Sequence, residues 1–123
     1  MCAQQNRPDA ILDRIEDLDV GCYKLSFPVY HLFSPTSGSH TIAFEIKENG
    51  STIFYDASFS ITEVQAADRK RTVEHVFKTY TGYYTAKMDD YVSRMIHFFK
   101  GYASPRAPSE LSGFELFKVK LAS

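Results

Sequence analysis

His40 and Asp56 are the two residues of this 123-residue chain whose types and spacing could do proton-transfer chemistry together. An imidazole takes up and returns a proton near neutrality. A carboxylate beside it holds the ring and stabilises the cation that forms. Thiol hydrolysis requires a third group, a cysteine activated next to the imidazole and usually placed at a helix N-terminus. The chain offers Cys2 and Cys22. Cys22, in Gly-Cys-Tyr-Lys-Leu-Ser, is the candidate nucleophile, although the alternation around it argues for a strand, where a thiol gains no help from a helix. Cys2 precedes the first helix in a polar segment. The competing structural reading is a sheet histidine and a surface aspartate at a strand end.

The elements that would position the pair form a hairpin. From Thr41 to Lys47, Ile42, Phe44 and Ile46 alternate with Thr41, Glu45 and Lys47, the period of two of a half-buried strand. Asn49-Gly50 supplies the reversal, and Ser51 to Asp56 returns through Thr52, Ile53, Phe54 and Tyr55. Residues 1–8 read as a flexible polar tail. Asp9 can cap a helix over Ala10 to Leu18, striped by Ile11, Leu12, Ile15 and Leu18. Residues 22–29 alternate again, with Tyr23, Leu25, Phe27 and Val29 opposite Cys22, Lys24, Ser26 and Pro28.

Residues 34–39 compose a loop. A helix over 67–81 buries Val73, Val76, Phe77 and Tyr80, and Gly82 interrupts it. A second helix over 85–100 presents Met88, Tyr91, Val92, Met95, Ile96 and Phe99. A closing strand runs from Phe114 to Leu121 with Phe117, Val119 and Leu121 on one side. The whole chain, residues 1–123, reads as one α+β domain, an antiparallel β-sheet with helices packed on it.

The pattern Ser-Gly-Ser-His-Thr-Ile-Ala-Phe, a short turn and then Ile-Phe-Tyr-Asp resembles the C-terminal half of papain-like (clan CA) cysteine peptidases. It is most similar to the YopT/AvrPphB type. The resemblance spans Gly21 to Ser60 and departs after Asp56, where Ala57-Ser58-Phe59-Ser60 stands in place of the family's Asp-Pro-Asn. It implies the sheet half of a papain-like fold, with His40 as the imidazole and Asp56 as its orienting carboxylate. It also implies thiolate attack on a peptide bond without metal or organic cofactor. The implied partner is a protein or peptide substrate, or a Cys-bearing polypeptide that completes the helical lobe. The gap from Cys22 to His40 is too short for that lobe. The alternative is an interaction module that keeps this scaffold and has lost the nucleophile.

Hairpin register separates the two readings. A two-residue Asn49-Gly50 turn pairs Ala43 with Asp56, points His40 and Asp56 to opposite faces, and gathers Ile42, Phe44, Ile46, Ile53 and Tyr55 on one. A three-residue turn, Glu48-Asn49-Gly50, pairs Ile42 with Asp56 and sets the carboxylate diagonal to His40 on the same face. Local hydrophobicity prefers the first and the family resemblance requires the second, which is the expectation adopted.

The remaining signals are ordinary. A net charge of −1 gives no sequence-wide footprint for nucleic acid. No apolar run reaches membrane-spanning length, and the N-terminus lacks a secretory h-region. The expected compartment is the cytoplasm, or a specialised secretion route without a cleavable signal. His75 and His97 read as core-edge histidines, and His31 stands alone before a loop. Arg69-Lys70-Arg71 reads as a solvated helix face, Asp89-Asp90 as dipole-favoured carboxylates, and Tyr80, Tyr83, Tyr84 and Tyr91 as core and rim.

Overall fold

A computed structural model describes residues 2–29, 38–56, 61–83 and 111–120, with backbone alone considered for 2–6. The expected helix over 85–100 lies outside these residues. The elements run β1 (Cys2–Asn6), α1 (Pro8–Ile15), β2 (Gly21–Val29), β3 (Gly38–Ile46), β4 (Thr52–Tyr55), β5 (Thr62–Val64), a 3-10 turn (Ala66–Asp68), α2 (Arg69–Thr81) and β6 (Phe114–Val119). The strands form one sheet in the order β1-β6-β2-β3-β4-β5. Every pairing in it is antiparallel. The architecture is therefore α+β, as the alternating and helical periodicities imply.

Helix α1 starts earlier than its sequence signals suggest. Pro8 occupies the first turn, where its missing N–H costs nothing. Asp9 Oδ1 accepts the Ala10 N–H at 3.0 Å from within that turn, so the carboxylate supports the helix start without being its cap. Ile11, Leu12 and Ile15 are buried. Helix α2 buries Val73 and Phe77 and packs Val76 and Tyr80 beside them, the expected stripe. It ends at Gly82, whose φ of 74° is a left-handed termination that glycine adopts without strain.

One face of the sheet carries the core: Tyr23, Leu25 and Phe27 from β2, Ile42, Phe44 and Ile46 from β3, Phe54 from β4, and Phe114 and Leu116 from β6. On β6 the inward set differs from the expected one. Phe114 and Leu116 are buried and Lys118 follows on their face, its Nζ 5.9 Å from the Tyr23 ring centroid. Phe117 and Val119 are half-buried on the other face. The registers Leu25–Leu116 and Lys24–Phe117 impose this phase, because β6 lies between two strands and must match β2. The segment read as a tail supplies β1, paired from Cys2–Lys118 to Asn6–Phe114. No described helix is long and apolar enough to cross a membrane.

The β3–β4 connection has three residues. The Lys47 N–H donates to Ser51 O at 2.9 Å, and the Gly50 N–H donates to Lys47 O at 2.8 Å. Gly50 takes φ 89°, the positive angle that a three-residue hairpin loop places at its last position. A Cβ there would also sit 3.2 Å from the Ala66 Cβ. Gly50→Ala should therefore cost about 1–2 kcal/mol for the left-handed backbone. Chemical denaturation of the variant checks it, and an unchanged midpoint would mean the loop relaxes freely.

Candidate active site

The three-residue loop decides what faces what. It pairs Ile46 with Thr52, Phe44 with Phe54 and Ala43 with Tyr55. Thr52 and Phe54 are thereby turned inward, Ile53 is left half-buried, and Tyr55 is 40% exposed. Continuing the alternation, Asp56 points inward beside His40. His40 Nε2 and Asp56 Oδ1 are 2.9 Å apart, with side chains only 18% and 6% exposed. At this separation the contact is a hydrogen bond between ring and carboxylate. Nε2 is committed to the carboxylate, so Nδ1 is the nitrogen left to accept a proton from a reacting group.

Aromatic rings fix the imidazole from two sides. Tyr80 of α2 stacks on it with centroids 4.6 Å apart and planes 25° apart. Phe27, its cross-strand partner on β2, approaches edge-on at 5.6 Å. Neither contact stands out in sequence as chemistry. Tyr80 could have been found only through its place in the α2 stripe, and Phe27 only through the β2–β3 register.

A cleft of about 320 Å³ opens beside the carboxylate, between α2 and the outer strands. Ile42, Phe54 and Val76 supply its apolar walls, and Asp56, Thr62, Thr72 and His75 its polar points. His75, expected at the core edge, is exposed on this rim. A smaller cleft of about 260 Å³ lies at the other end of β2, against Tyr23 and Lys118, and does not touch the pair.

No family model, curated protein or solved structure matches the chain. The site must therefore be understood from its own geometry, and that geometry excludes Cys22 as the partner of His40. Cys22 lies mid-sheet on β2 between Glu45 and Val119, on the face opposite Tyr23, Leu25 and Phe27. His40 is paired with Phe27, five residues further along β2, or about 16 Å at strand rise. Face and distance both separate thiol from imidazole, so the candidate assignment of Cys22 as nucleophile is corrected. Cys2 is no nearer. Its row runs through Lys118 and Tyr23 to Phe44, four residues along β3 from His40 and three strands across. Strand geometry makes that on the order of 13 Å by 14 Å.

A second polar cluster escaped the sequence reading. Arg69, expected on a solvated face with Lys70 and Arg71, is 4% exposed. Its Nε donates to Thr52 Oγ1 at 2.7 Å, and its two terminal nitrogens donate to Gly50 O at 2.8 Å and to Ile15 O at 3.1 Å. A longer contact reaches Glu16 O at 3.4 Å. Burial pulls the guanidinium below its ordinary pKa, and the nearby Tyr23 hydroxyl acts in the other direction. It stays charged at neutral pH all the same. On the open side of the same hairpin, the Ser51 hydroxyl donates to Glu63 Oε2 at 2.9 Å, and Lys47 Nζ lies 3.4 Å from the same oxygen. These two contacts hold the Glu63 carboxyl below its usual range.

Proposed function

We propose that this chain carries the imidazole–carboxylate half of a papain-type thiol hydrolase, with the nucleophilic thiol supplied by a cysteine outside the chain. The observation that carries the reading is the 2.9 Å His40–Asp56 bond between largely buried side chains. In the proposed reaction a thiol approaches the Nδ1 side and loses its proton to His40. Asp56 holds the Nε2–H and stabilises the imidazolium that forms. The thiolate attacks the carbonyl of a peptide or acyl substrate, and His40 gives the proton to the departing group. Water activated by His40 then cleaves the thioester to release the acid and the thiol. The resemblance of the His40 strand and the Asp56 strand end to YopT-type peptidases supports the same assignment.

A small thiol can stand in for the missing cysteine. The protein with 2-mercaptoethanol should accelerate thiolysis of p-nitrophenyl acetate beyond the rate with thiol alone. Cys22→Ser should behave as the parent. His40→Ala should lose the acceleration by about 100-fold, the low end of what a positioned base contributes. Equal rates for parent and His40→Ala would end the proposal.

The wide separation of both cysteines from the pair favours a second reading, an interaction module in which the His40–Asp56 bond is a joint between β3 and the segment after β4. In that case the thiolysis rates are flat across the variants, and the loss appears in folding stability alone.

A further inference from the structure

The β3–β4 hairpin is held in a register that its own sequence disfavours. Asn49-Gly50 is a strong two-residue turn signal, and the two-residue register would bury Ile53 and Tyr55. The observed register instead turns Thr52 and Asp56 inward, and leaves Tyr55 40% exposed. Within the loop the register is supported by the Ser51 N–H, which donates to Asn49 Oδ1 at 3.0 Å. An interaction from outside the hairpin adds to it, since a one-residue shift reverses every side chain of β4.

Arg69 is placed to do so. It sits at the first position of α2, and its guanidinium binds the hairpin at two points, Thr52 Oγ1 and Gly50 O. The same group is tied to the end of α1 through Ile15 O. The Thr52 hydroxyl can reach it only while Thr52 faces inward. In the slipped register Ile53 takes that place, and a buried guanidinium N–H loses its acceptor, a large penalty for a charged donor.

We infer that Arg69 is the positioning residue of the His40–Asp56 pair: it selects the three-residue hairpin register, and that register alone brings Asp56 to the face of His40. Arg69 touches neither member of the pair. It acts through Thr52 and Gly50, at the far end of β4. The inference concerns the geometry of the pair and stands whether or not the pair catalyses.

The test uses the full chain and reads register by NMR through cross-strand contacts between backbone protons. In the parent, Phe44 lies opposite Phe54; after a slip it lies opposite Tyr55. Arg69→Met should show the Phe44–Tyr55 contact in place of the parental one and lose the His40–Asp56 bond. A second variant deletes Glu48 from Arg69→Met. The deletion leaves Asn49-Gly50 as a two-residue turn that now joins Lys47 to Ser51, so turn preference and native register agree. The double variant should recover the Phe44–Phe54 contact without the guanidinium, which no loss of general stability would produce. Arg69→Met folded with Phe44 still opposite Phe54 would overturn the inference. Should Arg69→Met fail to fold, recovery of the native register on deleting Glu48 supports it. Failure of the double variant as well means that Arg69 serves something other than register, and the inference falls.

Discussion

Phe77→Ala is expected to lower folding stability by about 3–5 kcal/mol, the usual loss for truncating a fully buried phenylalanine. Phe77 has no exposed surface and, with Tyr80, joins α2 to the sheet. It meets Phe114 of β6 edge-on at 4.8 Å, Phe27 of β2 at 5.5 Å and Tyr83 at 6.2 Å. Each such aromatic contact adds to simple area burial, and alanine would leave a void bounded by three rings that cannot all close on it. Against a typical total of about 5–15 kcal/mol, this is enough to leave the domain marginal. Phe77→Leu, which keeps most of the volume, should lose much less. Guanidinium melts with a shared slope measure both. A loss under about 1 kcal/mol for the alanine variant would show that α2 is not anchored at this point.

A functional loss close to that of removing His40 is expected at Asp56. Asp56→Asn keeps an oxygen able to accept the Nε2–H but removes the negative charge that stabilises imidazolium. In the proposed chemistry thiolysis should fall by about 100-fold, to the level of His40→Ala, since charge at this position matters beyond orientation. Asp56→Ala, which removes orientation as well, should be no better. The measurement is the thiol-dependent acyl-transfer rate at saturating protein, with circular dichroism confirming that each variant is folded. Retention of the parental rate by Asp56→Asn would show that the carboxylate only holds the ring.

The fold was legible in sequence where one periodicity acted alone. The alternation of Tyr23, Leu25 and Phe27 and of Ile42, Phe44 and Ile46 gives the two central strands. The Val73–Phe77 stripe gives α2. Local pattern failed where a distant partner made the decision. The polar run Cys2–Asn6 has no strand signal of its own and extends only because β6 offers an edge. The inward phase of β6 follows β2, although Phe117 and Val119 are as apolar as Phe114 and Leu116. Arg69 stands in a basic triplet that looks solvated. Nothing within the triplet shows that Thr52 and the Gly50 carbonyl of the hairpin, together with the Ile15 and Glu16 carbonyls at the end of α1, converge on it.

The candidate site divides in the same way. His40 and Asp56 can be picked out by type and spacing, but whether they meet depends on a single residue of loop length. Hydrophobic pattern pointed to the wrong loop. The observed loop has one residue more, and the 2.9 Å bond is the consequence of that length.

The position of β6 also sets an order of assembly. β1 and β2 are joined through α1, close in sequence, yet they never touch in the sheet, because β6 lies between them. A chain emerging from the ribosome can form the β2–β3–β4–β5 meander and lay α2 on it while residues 114–119 are still unsynthesised. At that stage the β2 edge is open, its Leu25 and Phe27 lacking the cover of Leu116 and Phe114, and β1 lacks the partner it has in the finished sheet. Closure of the sheet is thus a late, long-range event with a slow search built into it. Until it occurs, the unpaired backbone of β2 is the place where a second nascent copy, or a chaperone that binds extended chain, would compete with β6.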